Sequence, residues 1–244
     1  MAKAWIGTSG FAYREWKPKF YPKEVPAKDF LSFYASNFES VEIDGTFYRM
    51  PKENVIEAWK RNTPEDFRFA LKASQVITHW QRLKTPSDSL DRWLKTISGM
   101  GSRLGIALYQ LPPNFKADFE RLGAFLEALP PSIRSAMEFR HDSWFVDECY
   151  RLLEQHKVAL CIHDSDENTT PIRLTAPVTY VRLRRAQYTD ELRAEWADRI
   201  RGWVSAGVDV FAYIKHEDNP DAPLIAKQFA AELEQQALAS WTKQ

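Results

Sequence analysis

Three short apolar runs in this chain end on charge. They are Ser40-Val-Glu42-Ile-Asp44, Arg68-Phe-Ala-Leu-Lys72 and Arg134-Ser-Ala-Met-Glu138-Phe-Arg140-His141. Successive side chains of an extended strand alternate between its two faces, so Glu42 and Asp44 share one face while Val41 and Ile43 share the other. By the same count Ala70 and Lys72 oppose Phe69 and Leu71, and Ala136, Glu138 and Arg140 oppose Met137 and Phe139. Charged side chains are seldom buried unless paired. A convergent set of this kind is either a salt-bridge network that plugs the interior or a site in which mutual perturbation tunes an acid or base toward neutral pH. The second reading gives Glu138 or Glu42 the role of general base, with Arg140 and Lys72 holding an anion and stabilising developing charge. A desolvated Lys72 would also suit Schiff-base chemistry.

Other residues extend this set. His141 follows Arg140 directly and is either a proton donor, a ligand or a solvated bystander. His163 and Asp164 end another apolar run, and with Glu42 and Glu138 they would make a carboxylate and imidazole set for a divalent metal. No spacing of the His-x-x-x-His kind specifies a metal, and the sequence names no other cofactor. Arg182-Leu-Arg184-Arg185 ends a further run, and Lys215 follows the last one, which suggests a phosphate or carboxylate contact. Tyr48, Arg49, Gln110, Asp164, Arg182, Arg184 and Lys215 are therefore the expected ligand contacts. Phe11, Tyr13, Trp16, Phe20, Tyr21, Phe47, Tyr48 and Trp80 either stack on a ligand or pack loops over the site, and packing is favoured. The run Gly7-Thr-Ser9-Gly10 lacks the final glycine of a nucleophile elbow, since Phe11 stands there.

These residues need a scaffold that gathers strand ends. Eight apolar runs alternate with segments of helical period, the pattern of parallel strands joined by crossover helices. The expected strands are 4–8, 40–44, 68–72, 104–110, 134–139, 158–163, 178–183 and 209–214. The expected helices are 27–38, 53–61, 88–100, 117–129, 144–156, 190–206 and 224–239. Pro26, Ser87, Ser143 and Thr189 stand at helix starts, and Gly207 at a stop. Asp164 to Pro177 has no amphipathic period, so the sixth helix is expected to be short or absent. The predicted fold is α/β, a single (β/α)8 barrel of the TIM type spanning residues 1–244, with loop insertions after the first and third strands. An open doubly wound sheet is the rival. In a barrel the polar ends of the strands share one mouth, and that is where function resides.

The chain has 244 residues, 44% hydrophobic and 27% charged, with 33 basic and 33 acidic side chains. That balance gives no whole-protein attraction to nucleic acid or an anionic membrane, so any anion site is local. No stretch approaches the roughly 18 to 20 apolar residues of a membrane helix. With no leader-like start, a cytoplasmic location is expected. Cys149 and Cys161 read as buried thiols, and nothing specifies an oligomeric state.

The motifs Gly7-Thr-Ser-Gly-Phe-Ala-Tyr13 with Trp16, Phe20-Tyr-Pro22, Val41-Glu-Ile-Asp-Gly-Thr-Phe-Tyr-Arg49, Ile77-Thr-His79, Gln110-Leu-Pro-Pro113, Glu138-Phe-Arg-His-Asp-Ser-Trp144 and Tyr180-Val-Arg-Leu183 together resemble the YecE-like proteins, the family called domain of unknown function seventy-two. The resemblance implies a barrel with a polar pocket lined by Glu42, Lys72, Glu138, Arg140 and His141, in a family without a settled activity. Asp44 stands where that family commonly has asparagine, Arg184-Arg185 where it has His-Gly, and Lys215-His216-Glu217 where it has asparagines. The resulting corner at strands seven and eight is more charged and implies a more anionic ligand. The leading expectation is thus an enzyme acting on a phosphate- or carboxylate-bearing ligand, such as a sugar or nucleotide, by carboxylate acid/base catalysis, in the manner of a hydrolase. The alternative is a non-catalytic binder of nucleic acid or a protein partner, separable by the salt dependence of binding.

Overall fold

The computed structural model describes residues 1–215 and 220–241, with side chains through residue 233. His216 and Glu217 lie outside the described residues. Eight strands form one parallel sheet in the order β1-β8-β7-β6-β5-β4-β3-β2. They are β1 (Ala4–Thr8), β2 (Ser40–Ile43), β3 (Arg68–Lys72), β4 (Leu104–Gln110), β5 (Ser135–Glu138), β6 (Ala159–Asp164), β7 (Val178–Leu183) and β8 (Asp209–Ile214). The helices are α1 (Phe30–Ala35), α2 (Glu53–Arg61), α3 (Asp88–Ser98), α4 (Phe119–Glu127), α5 (Asp147–Gln155), α6 (Asp190–Ser205) and α7 (Ala222–Trp241). No helix joins β6 to β7, as the unpatterned stretch predicted. The architecture is a nearly closed TIM-type barrel, and the open-sheet alternative is excluded because β1 also meets β2.

That meeting is local. Ser9, just past the end of β1, bridges to Glu42 of β2, and the Gly10 N–H donates to the Glu42 carbonyl at 2.7 Å. A Cβ on Gly7 would sit 2.2 Å from the Ser40 carbonyl oxygen, so only glycine permits this approach. Within the seam, the Tyr34 hydroxyl accepts from the Thr8 N–H at 2.9 Å and donates to the Ser40 carbonyl at 3.1 Å. The seam thus sets Ser9 beside Glu42.

Alternation divides the core into two layers. Val41, Ile43, Phe69, Leu71, Met137, Phe139, Leu160, Ile162, Val181 and Leu183 belong to the outer layer under the helices. Trp5, Ala70, Ile106, Leu108, Ala136, Ala159, Cys161, Tyr180 and Phe211 belong to the layer inside the barrel. Trp5 and Phe211 stack at 4.6 Å and 7° in that inner layer. Both cysteines are buried and free.

Helix ends follow local chemistry. Ser87 and Thr189 accept from the N–H groups of Leu90 and Leu192, capping α3 and α6. Gly207 follows α6 with φ +86°, a conformation in which glycine carries no Cβ penalty. The expected cap at Ser143 is corrected. A 3-10 turn occupies Asp142–Trp144, α5 begins at Asp147, and the Ser143 hydroxyl instead accepts from the Ala117 N–H at 2.8 Å. The predicted first helix is likewise split into a 3-10 turn, Ala27–Asp29, and α1.

Candidate active site

At the carboxyl ends of the strands, inward alternation gathers Glu42, Glu138, Gln110, Lys72, His163 and Arg182. Arg182 is the hub. Its Nη2 donates to Glu42 Oε1 at 2.7 Å and to Asp44 Oδ1 at 3.0 Å, and its Nη1 donates to Glu138 Oε2 at 2.8 Å. Arg182 is 1% exposed, and Glu42 and Glu138 are wholly buried. Glu42 also accepts from the Tyr180 hydroxyl at 2.6 Å and from the Ser9 hydroxyl. Glu138 pairs with Arg140 through Nη2. Four elements therefore converge on two carboxylates. β1 brings Ser9, β2 brings Glu42, β5 brings Glu138, and β7 brings Tyr180 and Arg182.

The electrostatics follow. Burial pushes Glu42 up, but Arg182, Arg184 and the hydrogen bonds from Arg182 and Ser9 overcome it and hold the carboxyl at about 2. Glu138 is likewise pushed up by burial and pulled below the usual carboxylate range by Arg182, Arg140, Arg184 and His163. Asp44 moves the other way. Burial and the Glu42 charge raise it, against Arg182, Lys72 and Arg184. Burial and Arg182 depress the Lys72 ammonium, against Asp44, Glu138 and Glu42. Burial, then Arg140, brings His163 down to about 4, so its imidazole is neutral at pH 7.

Those directions bear on the general-base role expected of Glu42 and Glu138. A carboxylate held as a permanent anion by guanidinium pairs is a poor base near neutral pH. Arg182 Nη1 and Nη2 are taken by carboxylates, so Arg182 organises the site, while its Nε is buried without an acceptor among the described residues. Its neighbours also have open donors. Arg184 Nη2 lies 3.6 Å from Glu42 and 3.7 Å from Asp44, beyond hydrogen-bonding distance. Among the described residues, Arg184 Nε and Nη2 and Arg140 Nε are buried without an acceptor.

Arg140, Gln110 and His163 border a cleft of about 660 Å³ that continues toward Asn168, Thr169 and Thr170. A larger cleft, about 780 Å³, opens at the opposite end of the barrel among residues such as Arg134, His156, Pro177 and Asp209. None of the inward charged groups lines it, so the smaller cleft is the one tied to the charged layer.

Several predicted contacts fall elsewhere. Asp164 is the last residue of β6 and faces outward, where it pairs with Arg185 at 2.8 Å and accepts from Tyr188 and Trp196. It joins neither Glu42 nor Glu138. Among the described residues no group of three or more His, Cys, Asp and Glu side chains is placed to hold a metal. Arg182 fills the space between the two glutamates with positive charge, which corrects the expected metal set. His141 Nδ1 accepts from the Ser143 N–H at 3.2 Å, capping the 3-10 turn. Arg49 lines a separate cleft with Met50, Pro51 and Trp59. Lys215 is half-buried after β8, and its N–H donates to the Leu183 carbonyl. Tyr48 lies at the rim against Phe47, 76% exposed.

Of the aromatic residues, Trp16, Phe20 and Tyr21 are buried, and Tyr21 stacks on Phe30 at 4.0 Å. Only Tyr48 and Trp80 of the predicted group stand well exposed. Sequence reading missed Ser9 and Tyr180. The signal for Tyr180 was present, because alternation along β7 places it on the same face as Arg182.

A family model described as "Protein of unknown function DUF72" matches residues 5–244. The chain belongs to the DUF72 family. A DUF72 family protein of Thermotoga maritima MSB8 superposes with a TM-score of 0.82 at 26% identity, covering 95% of this chain and 99% of that one. A second DUF72 family protein, from Enterococcus faecalis V583, superposes at 0.75 with 19% identity over 96% and 98% of the two chains, a likeness of fold. In sequence the chain is 34% identical over 116 residues to the UPF0759 protein YecE of Escherichia coli (strain K12), covering 47% of this chain and 43% of that protein. It is 30% identical over 154 residues to the UPF0759 protein YunF of Bacillus subtilis (strain 168), covering 60% and 54%. The matched stretches thus span about half the length of these curated relatives. No helix among the described residues is long and apolar enough to cross a membrane.

Proposed function

We propose that this DUF72 barrel is an enzyme that binds a small anionic ligand at the carboxyl end of its strands. The observation that carries the reading is the set of open donors on Arg184 and Arg140, of which Arg140 lines the cleft. A buried donor without a partner costs about 1 to 3 kcal/mol, and a phosphate or carboxylate oxygen would satisfy it. Lys72 adds a cation on the β3 side. Glu42 and Glu138 keep Arg182 and its neighbours in place, so the acid/base role passes to Asp44, whose raised pKa brings its proton closer to neutral pH. Hydrolysis of a phosphoester or opening of a sugar ring fits these parts, with Asp44 moving the proton and the arginines holding the charge.

The test is thermal denaturation with inorganic phosphate. Wild-type protein is expected to gain about 2.7 kcal/mol at a hundredfold excess over Kd, and Arg184→Gln to lose most of that gain. No shift with phosphate, sulfate or citrate would refute the anion site. On any phosphoester that is turned over, Asp44→Asn is expected to abolish turnover while phosphate still binds, and unchanged turnover would remove Asp44 from the chemistry.

A second reading, contact with a single nucleic-acid strand, is supported by the rim. Tyr48 and Trp80 are 76% and 69% exposed, as rings that stack on bases are. Binding of an oligonucleotide at low salt that collapses at moderate salt, and weakens in Tyr48→Ala, would favour it.

A further inference from the structure

We propose that Lys72 is an amine nucleophile that forms an imine with the carbonyl group of an anionic substrate, a 2-oxo acid or an aldehyde phosphate. The inference rests on the anion-binding reading above and names the substrate class of that same site.

The geometry around Lys72 sets it apart from the other cations of the mouth. β2 and β3 pair in register through Ile43 opposite Leu71, so the next residues, Asp44 and Lys72, come side by side at the strand ends. Both follow the inward alternation of Glu42 and Ala70. The Thr46 hydroxyl donates to the Lys72 carbonyl at 2.6 Å and anchors its backbone. The three neighbouring carboxylates are engaged by Arg182. Among the described residues, the Lys72 side chain makes no ion pair. Its Nζ instead rests over the Phe47 ring, 4.4 Å from the centroid.

An ammonium on an aromatic face, with its carboxylate neighbours bound to a guanidinium, is more readily deprotonated than one held by a carboxylate. Burial and the Arg182 charge act in the same direction. Arg184, 3.7 Å from Asp44, stands where the anionic end of a substrate would be held.

The step balances without any further reactant. The Nζ lone pair attacks the carbonyl carbon, a C–N bond forms as the C=O π bond breaks, and the proton that the nitrogen gives up passes to the carbonyl oxygen, leaving a neutral carbinolamine. The Asp44 carboxyl then delivers a proton to that hydroxyl, water leaves, and a protonated imine remains. Water re-entering by the reverse path frees the amine and returns the proton to Asp44.

Reductive trapping on the full chain tests this. The protein is treated with borohydride and glyoxylate, pyruvate or glycolaldehyde phosphate, with propanal as the uncharged control, and peptides are mapped by mass spectrometry. The expected result is a reduced adduct on Lys72 at least about tenfold above any other lysine. Inorganic phosphate suppresses it, and propanal does not enrich it. The three probes tell an oxo acid from an aldehyde phosphate. Lys72→Arg, which removes the nucleophilic amine, should lose the adduct.

Adducts spread evenly over lysines, or none on Lys72, would overturn the proposal while phosphate binding still upheld the anion site. Equal enrichment by propanal would overturn it as well. Loss of phosphate binding in wild-type protein would instead bring down the reading on which it rests.

Discussion

The two ends of the barrel interior are built from the same strands with the same alternation and opposite chemistry. Toward the amino end, Trp5, Ile106, Ala136, Val178 and Phe211 pack as an apolar plug. There Gly105 makes room for the Phe211 ring, which a Cβ would approach to 2.7 Å. Toward the carboxyl end the same faces carry Glu42, Glu138, Lys72 and Arg182. An apolar layer would serve stability at least as well, because two buried carboxylates and a guanidinium give up hydration that their attraction only partly returns. The charged layer is thus the part of the core whose composition stability does not explain.

Breaking the charged layer at its hub gives the largest expected effect. Arg182→Met leaves Glu42 and Glu138 buried without their cation, and a loss of about 3 to 5 kcal/mol is expected in denaturant melts. Adding Glu42→Leu and Glu138→Leu should return most of that loss. A triple variant as unstable as the single one would mean that the network is needed for folding itself. At the apolar end, Phe211→Ala is expected to cost a comparable 3 to 5 kcal/mol, about the size of the cavity it leaves. There no second substitution among charged groups should repair it.

Acid should separate the two ends next. Glu42 is held at about 2 in the folded chain against an ordinary 4.5, so the unfolded chain takes up the proton first as pH falls. Its stabilisation is complete above roughly pH 4.5 and is lost toward pH 2. Asp44, with a raised pKa, has the opposite sign and weakens the fold as pH climbs from its ordinary value toward its folded one. Urea midpoints between pH 6 and pH 3 should fall in wild type and change less in the apolar triple variant. The smallest effect belongs to Arg185→Gln. Its partner Asp164 is 1% exposed but keeps the donors of Thr169, Tyr188 and Trp196, so a loss of about 1 to 3 kcal/mol with unchanged phosphate binding is expected.

Much of this was legible in the chain. β1, β3, β4, β7 and β8 coincide with the predicted runs, as does α2, because a half-buried strand or helix declares its period locally. The inward face of Glu42, Ala70, Glu138 and Arg140 follows from counting by two. The absent helix between β6 and β7 could be read from a stretch with no period. His141 and Asp164 could not be read this way. One caps a turn and the other faces Trp196 from α6, and both depend on elements that come together only in the fold.

By itself, the sequence determined which faces are apolar, where strands and helices start, and which charges share the barrel interior, since all three depend on neighbours a few residues apart. Tertiary structure decided what those charges do. Arg182 meets Glu42 and Glu138 across separations of 140 and 44 residues, and that meeting fixes the two glutamates as anions and leaves Arg184 and Arg140 with donors to offer. Protonation and donor capacity depend on distance and burial, which no local pattern encodes.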